Sequence, residues 1–147
     1  AILLLKENKI YIQKKSHFYE SLAIHNSADP KFINCVISVK TNLSLKNIFS
    51  VIFKVEKILE RTRNKKNDPR TCDIDIIDYK GKVLNLIFEN KNLIIPHPRL
   101  TYRNFVLLPL YEIFPNWIHP TTGDNVKNLI KKLNNYDKKS IFKINPD

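Results

Sequence analysis

An α+β sandwich, with helices set against a mainly antiparallel sheet, is the architecture this sequence predicts. Three observations predict it. Two β-branched stretches, KIYIQKKSHFYES and FINCVISVKT, come early and are joined by a loop of turn-forming residues, HNSADP. A long run with apolar residues at helical spacing, LKNIFSVIFKVEKILERTR, follows them. Shorter strands and two more helical patterns complete the order β, β, long α, β, β, α, α. Strands joined as hairpins are grouped and helices stand apart, as in α+β folds.

The elements follow in order. AILLLKE reads as the end of a helix. KIYIQKKSHFYES alternates as a strand with Ile10 and Ile12 on one face, and FINCVISVKT places Ile33, Cys35, Ile37 and Val39 on one face. Ser44 is a suitable N-cap for the long helix, whose stripe is Leu45, Ile48, Phe49, Ile52, Val55, Ile58 and Leu59. CDIDIIDY is predicted to be a strand, KGK a turn, and VLNLIF and NLIIP a pair of short strands joined by ENKN. A short helix from Arg103 to Leu108 is expected to stop near Pro109, because proline disfavours helix in the residue before it. Asp124 is expected to cap a last helix, NVKNLIKKL, and the tail after Asn134 to fray. Residues 1–147 show neither an internal repeat nor a linker and read as one domain.

Composition narrows the function classes. A hydrophobic fraction of 43%, with one Trp, six Tyr and eight Phe, supports a packed interior and argues against disorder. Lys and Arg number 25 against 14 Asp and Glu, a formal net charge of +11. That excess favours an anionic partner: nucleic acid, an acidic lipid surface or a nucleotide polyphosphate. Cys35 and Cys72 lack CxxC spacing and read as free, buried thiols, which fits a reducing cytoplasm. No apolar run approaches the roughly 20 residues of a membrane span, and AILLL is too short for that or for a signal peptide.

The chemistry concentrates in NDPRTCDIDIID, residues 67–78. In a strand Asp73 and Asp75 point to one face, about 6–7 Å apart along the backbone. Two such carboxylates repel unless a cation sits between them. Mg²⁺ suits them, since it takes one or two carboxylates and completes its shell with water and substrate phosphate. A solvated strand face is the bland alternative. Arg61, Arg63 and Arg70 bracket the loop before the aspartates, and PHPRLTYRNF gathers His97, Arg99 and Arg103 just before Phe105. Guanidinium groups match phosphate geometry. Carboxylates, arginines and a histidine together suit phosphoryl transfer on a nucleotide. The two glycines, Gly81 and Gly123, form no phosphate-binding loop, so the enzyme is of another build. Two alternatives from other classes stand beside this one: a ferredoxin-like nucleic-acid-binding module, and a two-metal nuclease.

These blocks carry a resemblance. DPRTCDIDII is similar to the signature of the 6-hydroxymethyl-7,8-dihydropterin pyrophosphokinases of folate biosynthesis, an Arg, two variable residues, then Asp-aliphatic-Asp. IPHPRLTYRNFVLLPLYEIFP resembles the family's second block, and HFYES with DPKFINCVISVKTNLS its upstream region; the likeness runs over residues 9–133. It implies a ferredoxin-like three-layer α-β-α sandwich and transfer of pyrophosphate from ATP to the pterin hydroxymethyl group, leaving AMP. By position, Asp73 and Asp75 would hold two Mg²⁺ ions, and one of them would help take the hydroxyl proton. Arg61 and Arg70 would act on the phosphates, with Arg63 a further contact. Glu56, Ile76, His97, Arg99 and Arg103 would line the ATP site. Asn34 would hydrogen-bond the pterin, Phe32 and Phe105 would sandwich it, and Ser21, Leu22 and Ile24 would offer backbone contacts. ATP and the dihydropterin would be the only partners of a cytoplasmic monomer, with neither nucleic acid nor membrane bound. The family opens with a strand ending in Gly-Ser-Asn and a helix, so an N-terminally incomplete sequence lacking its first strand is expected. Asn67, Asp68, Asn92 and Phe32 stand where the family often has Trp, Gly, Arg and Tyr.

Overall fold

The computed structural model describes residues 1–22, 31–60 and 72–145. Helix α1 (Ile2–Glu7) is followed by strands β1 (Tyr11–Lys15), β2 (Phe18–Ser21), β3 (Phe32–Asn34) and β4 (Ile37–Lys40), then helix α2 (Leu45–Glu60). Next come β5 (Leu84–Phe88) and β6 (Lys91–Ile95), a 3-10 turn at Leu100–Tyr102 and helix α3 (Asn104–Ile113). Helices α4 (Val126–Lys132) and α5 (Asn135–Lys139) and strand β7 (Ile141–Ile144) complete the order. Every strand pairing among the described residues is antiparallel: β1 with β4, β3 with β2 and β2 with β7, and β5 with β6. The class is α+β, as the sequence predicts, but the sheet is divided into three ladders.

Ser16 explains part of that division. Its N–H donates to the Val36 carbonyl at 2.9 Å, and its Oγ accepts the Val36 N–H at 3.0 Å. A side-chain oxygen thus takes the place of a backbone carbonyl in the ladder. The predicted single strand at 9–21 breaks there into β1 and β2, and its partner breaks at Cys35–Val36 into β3 and β4. Val36 is buried, while Ile33 and Val39, predicted for the core face, are exposed.

The predicted strand at 72–79 has no ladder partner among the described residues. The Ile74 N–H donates instead to Glu56 Oε1 of α2 at 2.7 Å. A side chain here does what a neighbouring strand would do. A cavity of about 960 Å³ adjoins this segment, with Ile33, Asn34, Ile37, Asp73, Asp75 and Ile77 in its lining.

Two apolar clusters hold the elements. Val36, Leu100, Val106, Leu107, Leu110, Val126, Leu129 and Leu133 form the larger, joined by half-buried Ile77 and Trp117. Leu5, Ile10 and Val55 form the smaller, with Ile37, Ile48 and Ile74 against them. Helix α2 begins as predicted, Ser44 Oγ accepting the Asn47 N–H at 3.3 Å, and buries Phe49, Ile52 and Val55. The β5–β6 hairpin docks on α2 through Phe88, whose ring lies 6.1 Å from that of Phe49 and 5.8 Å from that of Phe53.

Three expectations of the C-terminal third are corrected. Helix α3 does not stop before Pro109 but runs through it to Ile113. Pro109 is buried in the cluster around Leu107 and Leu110, so packing outweighs the one hydrogen bond that proline removes. The cap of α4 is Asn125, whose Oδ1 accepts the Asn128 N–H at 2.8 Å, whereas Asp124 pairs with Lys132 at 3.3 Å. The tail does not fray after Asn134. Asn134 caps α5, and β7 pairs with β2 from Phe18↔Ile144 to Ser21↔Ile141. Ile141 is buried, which supplies the apolar anchor a polar-looking tail hides. His119 is buried, and its Nδ1 accepts the N–H groups of Thr121 and Thr122 at 3.1 and 3.2 Å.

Candidate active site

Asp73 and Asp75 are exposed while Ile74 and Ile76 between and beyond them are half-buried, so the two carboxylates share a side as the D-x-D spacing predicts. Ile74 anchors the segment in the smaller cluster, and Ile77 packs against the larger. Glu56, expected at the nucleotide, lies behind this segment as the acceptor for the N–H between the aspartates. That contact fixes the backbone from which both carboxylates project.

Residues from the 97–105 block converge on Asp75. Arg103 Nη1 lies 3.0 Å from Asp75 Oδ2, and His97 Nε2 lies 3.9 Å from the same oxygen. The Arg103 side chain is 19% exposed, so the pair sits at the rim of the packed core rather than in open solvent. Its guanidinium carbon also lies 5.4 Å from the centre of the Phe105 ring, a cation–π distance. His97 Nδ1 accepts the Arg99 N–H at 3.1 Å, which puts the ring proton of the neutral imidazole on Nε2, facing the carboxylate. Burial pushes the His97 pKa below its ordinary value of 6.5; Asp75 opposes this, and the charges of Arg103 and Arg99 add to it. His97 is thereby set up as a neutral N–H donor. Arg99 itself is exposed.

Of the residues expected around the pterin, Ser21 lies on β2 with Leu22 just after it, Phe32 and Asn34 lie on β3, and Phe105 lies on α3. Phe32 and Asn34 are two apart on β3 and so share a face. The register sets Asn34 opposite Tyr19 and Phe32 opposite Ser21. Phe32 is 55% exposed, an aromatic face open to a ligand, whereas Phe105 is half-buried against the larger cluster. Asn34 shares the lining of the cavity with Asp73 and Asp75, which joins the two halves of the site. Ser21 is buried in the middle strand of its sheet, and the Leu22 N–H donates to the Ser140 carbonyl at 3.1 Å. The Leu22 N–H is therefore engaged within the fold, and a backbone contact from Leu22 would come from its carbonyl. Ile24, Arg61, Arg63 and Arg70 lie outside the described residues, as do Asn67, Asp68 and His25.

The donor set fits a hard divalent cation. Two exposed carboxylates offer oxygen ligands only, and a guanidinium already rests on one of them, so the position favours positive charge. No group of three or more His, Cys, Asp or Glu is gathered for a metal among the described residues. The thiols of Cys35 and Cys72 are free and half-buried, and burial pushes both pKa values up. No helix among the described residues is long and apolar enough to cross a membrane.

Comparison with known proteins decides the family. The model of 7,8-dihydro-6-hydroxymethylpterin-pyrophosphokinase matches residues 1–115. The chain belongs to this pyrophosphokinase family. It is 41% identical over 114 residues to the 2-amino-4-hydroxy-6-hydroxymethyldihydropteridine pyrophosphokinase of Aquifex aeolicus, covering 78% of this chain and 69% of that protein. It is 35% identical over 124 residues to the Synechocystis protein of the same name, covering 84% of this chain and 61% of that one. The folic acid synthesis protein FOL1 of Dictyostelium discoideum is 41% identical over 115 residues, which are 78% of this chain and 17% of that protein. The chain thus spans less than two thirds of two of these relatives and somewhat more of the third. The pyrophosphokinase match ends near the close of α3, so α4, α5 and β7 lie beyond it.

The residue sequence reasoning passed over is Glu112. Its carboxylate joins α3 to β2, and nothing in LLPLYEIFP marks it out, because its partners Tyr19, His17 and Lys143 are distant in sequence.

Proposed function

We propose that this chain transfers pyrophosphate from ATP to the hydroxymethyl group of 6-hydroxymethyl-7,8-dihydropterin, within one domain spanning residues 1–147. The pterin oxygen bonds to the β-phosphorus as the bond from that phosphorus to the bridging oxygen on the α side breaks. AMP leaves, and the hydroxyl proton is taken up by a carboxylate or water. The observation that carries this reading is the convergence of Arg103 and His97 on Asp75 beside Asp73. Family membership favours it over the nucleic-acid-binding and nuclease alternatives.

Each residue has a part in that reaction. Asp73 and Asp75 would hold two Mg²⁺ ions. When bound, the ions neutralise phosphate charge and help align the attacking and leaving oxygens. Arg103 supplies a delocalised cation to the phosphates, and His97 an N–H donor from its Nε2. Arg61, Arg63 and Arg70 would add cationic donors to the phosphates. Phe32 offers the pterin a flat apolar face and Asn34 a directional amide, the combination a planar heterocycle needs. Glu56 holds the aspartate segment in place. The working form is a monomer in the cytoplasm.

Calorimetry with a dihydropterin and a non-hydrolysable ATP analogue tests the assignment. Both ligands are expected to bind, the nucleotide only with Mg²⁺ present. Binding of DNA with uptake of neither small ligand would reverse the choice.

A further inference from the structure

Helix α3 carries Arg103 at its N-cap and Phe105 in its first turn, and it is fastened at one end to α5 and at the other to the sheet. At the N-terminal end, Asn104, buried, donates from Nδ2 to the Asp137 carbonyl at 2.6 Å and to Ser140 Oγ at 3.2 Å, just before β7. At the other end, Glu112 is a hub. Tyr19 Oη of β2 donates to Oε2 at 2.6 Å. The His17 N–H donates to Oε1 at 2.9 Å, and its ring Nδ1 lies 2.6 Å from the same oxygen. Lys143 of β7 approaches Oε2 at 3.6 Å. Burial would raise the Glu112 pKa, yet the hydrogen bonds from Tyr19 and His17 and the charge of Lys143 prevail and hold it down at about 2. The same contact, together with burial, pushes the Tyr19 hydroxyl well above its ordinary value. The carboxylate is therefore ionised at neutral pH, and Tyr19 remains its donor.

Those partners are tied to the pterin half of the site. Tyr19 is the register partner of Asn34, and the next pair on that face, Ser21 and Phe32, extends the same ladder. Phe105 and Glu112 are seven residues apart on α3, two turns, and so lie on one side of the helix. Apolar packing alone lets a helix slide over a sheet, whereas short charge-assisted bonds of defined direction fix its register. We propose that Glu112 is a positioning residue: it clamps the end of α3 to β2 and β7 and so sets the placement of Phe105 relative to Phe32 and Asn34. The inference rests on the pterin assignment given under Proposed function. It also gives β7, which lies beyond the family match, a part in the site.

Glu112→Gln tests it, because an amide puts a donor where one oxygen must accept. Affinities for dihydropterin and for the Mg²⁺-bound ATP analogue are measured by calorimetry, with backbone amide exchange followed in the same samples. The expected result is a loss of pterin affinity of about tenfold or more, since misplacement by an ångström is enough for such a loss. Nucleotide affinity stays within about twofold, and exchange accelerates over Phe18–Ser21 and Phe32–Asn34 while α4 keeps its protection. Tyr19→Phe, which removes one donor only, shifts pterin affinity the same way by less. Equal losses for both ligands, as a smaller folded fraction would give, overturn the positioning role. So does an unchanged pterin affinity in a parent that binds it. A parent that takes up no dihydropterin overturns the pterin assignment itself and, with it, this role for Glu112. Unchanged exchange in β2 and β3 shows separately that no clamp exists.

Discussion

Asp75→Ala abolishes Mg²⁺-dependent AMP formation while the fold survives. The expected loss is on the order of 10³-fold or more, because the substitution removes a proposed metal ligand and the carboxylate on which Arg103 and His97 converge. The Asp75 side chain is 47% exposed, so its contribution to folding is that of a surface ion pair, about 1 kcal/mol at most. Turnover by purified protein, followed as AMP release, is compared with the circular dichroism melt of the same sample. Undiminished turnover contradicts the metal role, and a collapsed melt means that Asp75 is structural. Asp75→Asn is the sharper variant: it preserves shape and one acceptor but removes the charge, and it is expected to fail nearly as badly.

Leu107→Ala has the largest expected effect on stability. Leu107 is fully buried at the centre of α3, in contact with the cluster that includes Leu100, Val126 and Leu129. Emptying such a position costs about 2–5 kcal/mol, the lost transfer energy plus the cavity left behind. For a chain of this length that lowers the melting temperature by roughly 5–15 °C. Ile87 is the matched control. It is 78% exposed on β5, and Ile87→Ala is expected to change stability by less than about 0.5 kcal/mol. Similar melts for the two variants would mean that α3 is not packed as described. Because α3 also carries Arg103 and Phe105, activity in Leu107→Ala is expected to fall well before the protein unfolds.

How much of this the sequence made legible depends on the range of the interaction that fixes each element. Helix α2 was readable because its stripe and its Ser44 cap are local. The shared side of Asp73 and Asp75 was readable because a two-residue period needs no partner. The break of the first two strands was not, since it depends on a bond between Ser16 and Val36 across the sheet. Pro109 inside α3 and the ordering of the tail have the same cause. In each case burial against distant residues overrides a local preference: Pro109 lies in a helix whose Leu107 and Leu110 cluster with Val126 and Leu129, and Ile141 pairs beside Ser21. Within the candidate site, the aspartates, His97, Arg103, Phe32 and Asn34 were singled out from motif chemistry and likeness to a family. Glu56 was singled out too, as a nucleotide contact, and the bond it accepts from the Ile74 N–H is one that no local pattern announces. Glu112 was missed altogether: a lone glutamate in an apolar helix carries no signal until three distant partners are placed around it.

Analysis of the reaction products tests the central claim most directly. The protein is mixed with ATP, Mg²⁺ and 6-hydroxymethyl-7,8-dihydropterin, and the phosphorus-containing products are followed by ³¹P NMR. AMP and a pterin carrying two phosphates are expected in equal amounts, with neither formed when Mg²⁺ is chelated. ADP with a pterin monophosphate, or no phosphorylated pterin from folded protein, would contradict a site in which paired aspartates and convergent guanidiniums handle a pyrophosphoryl group.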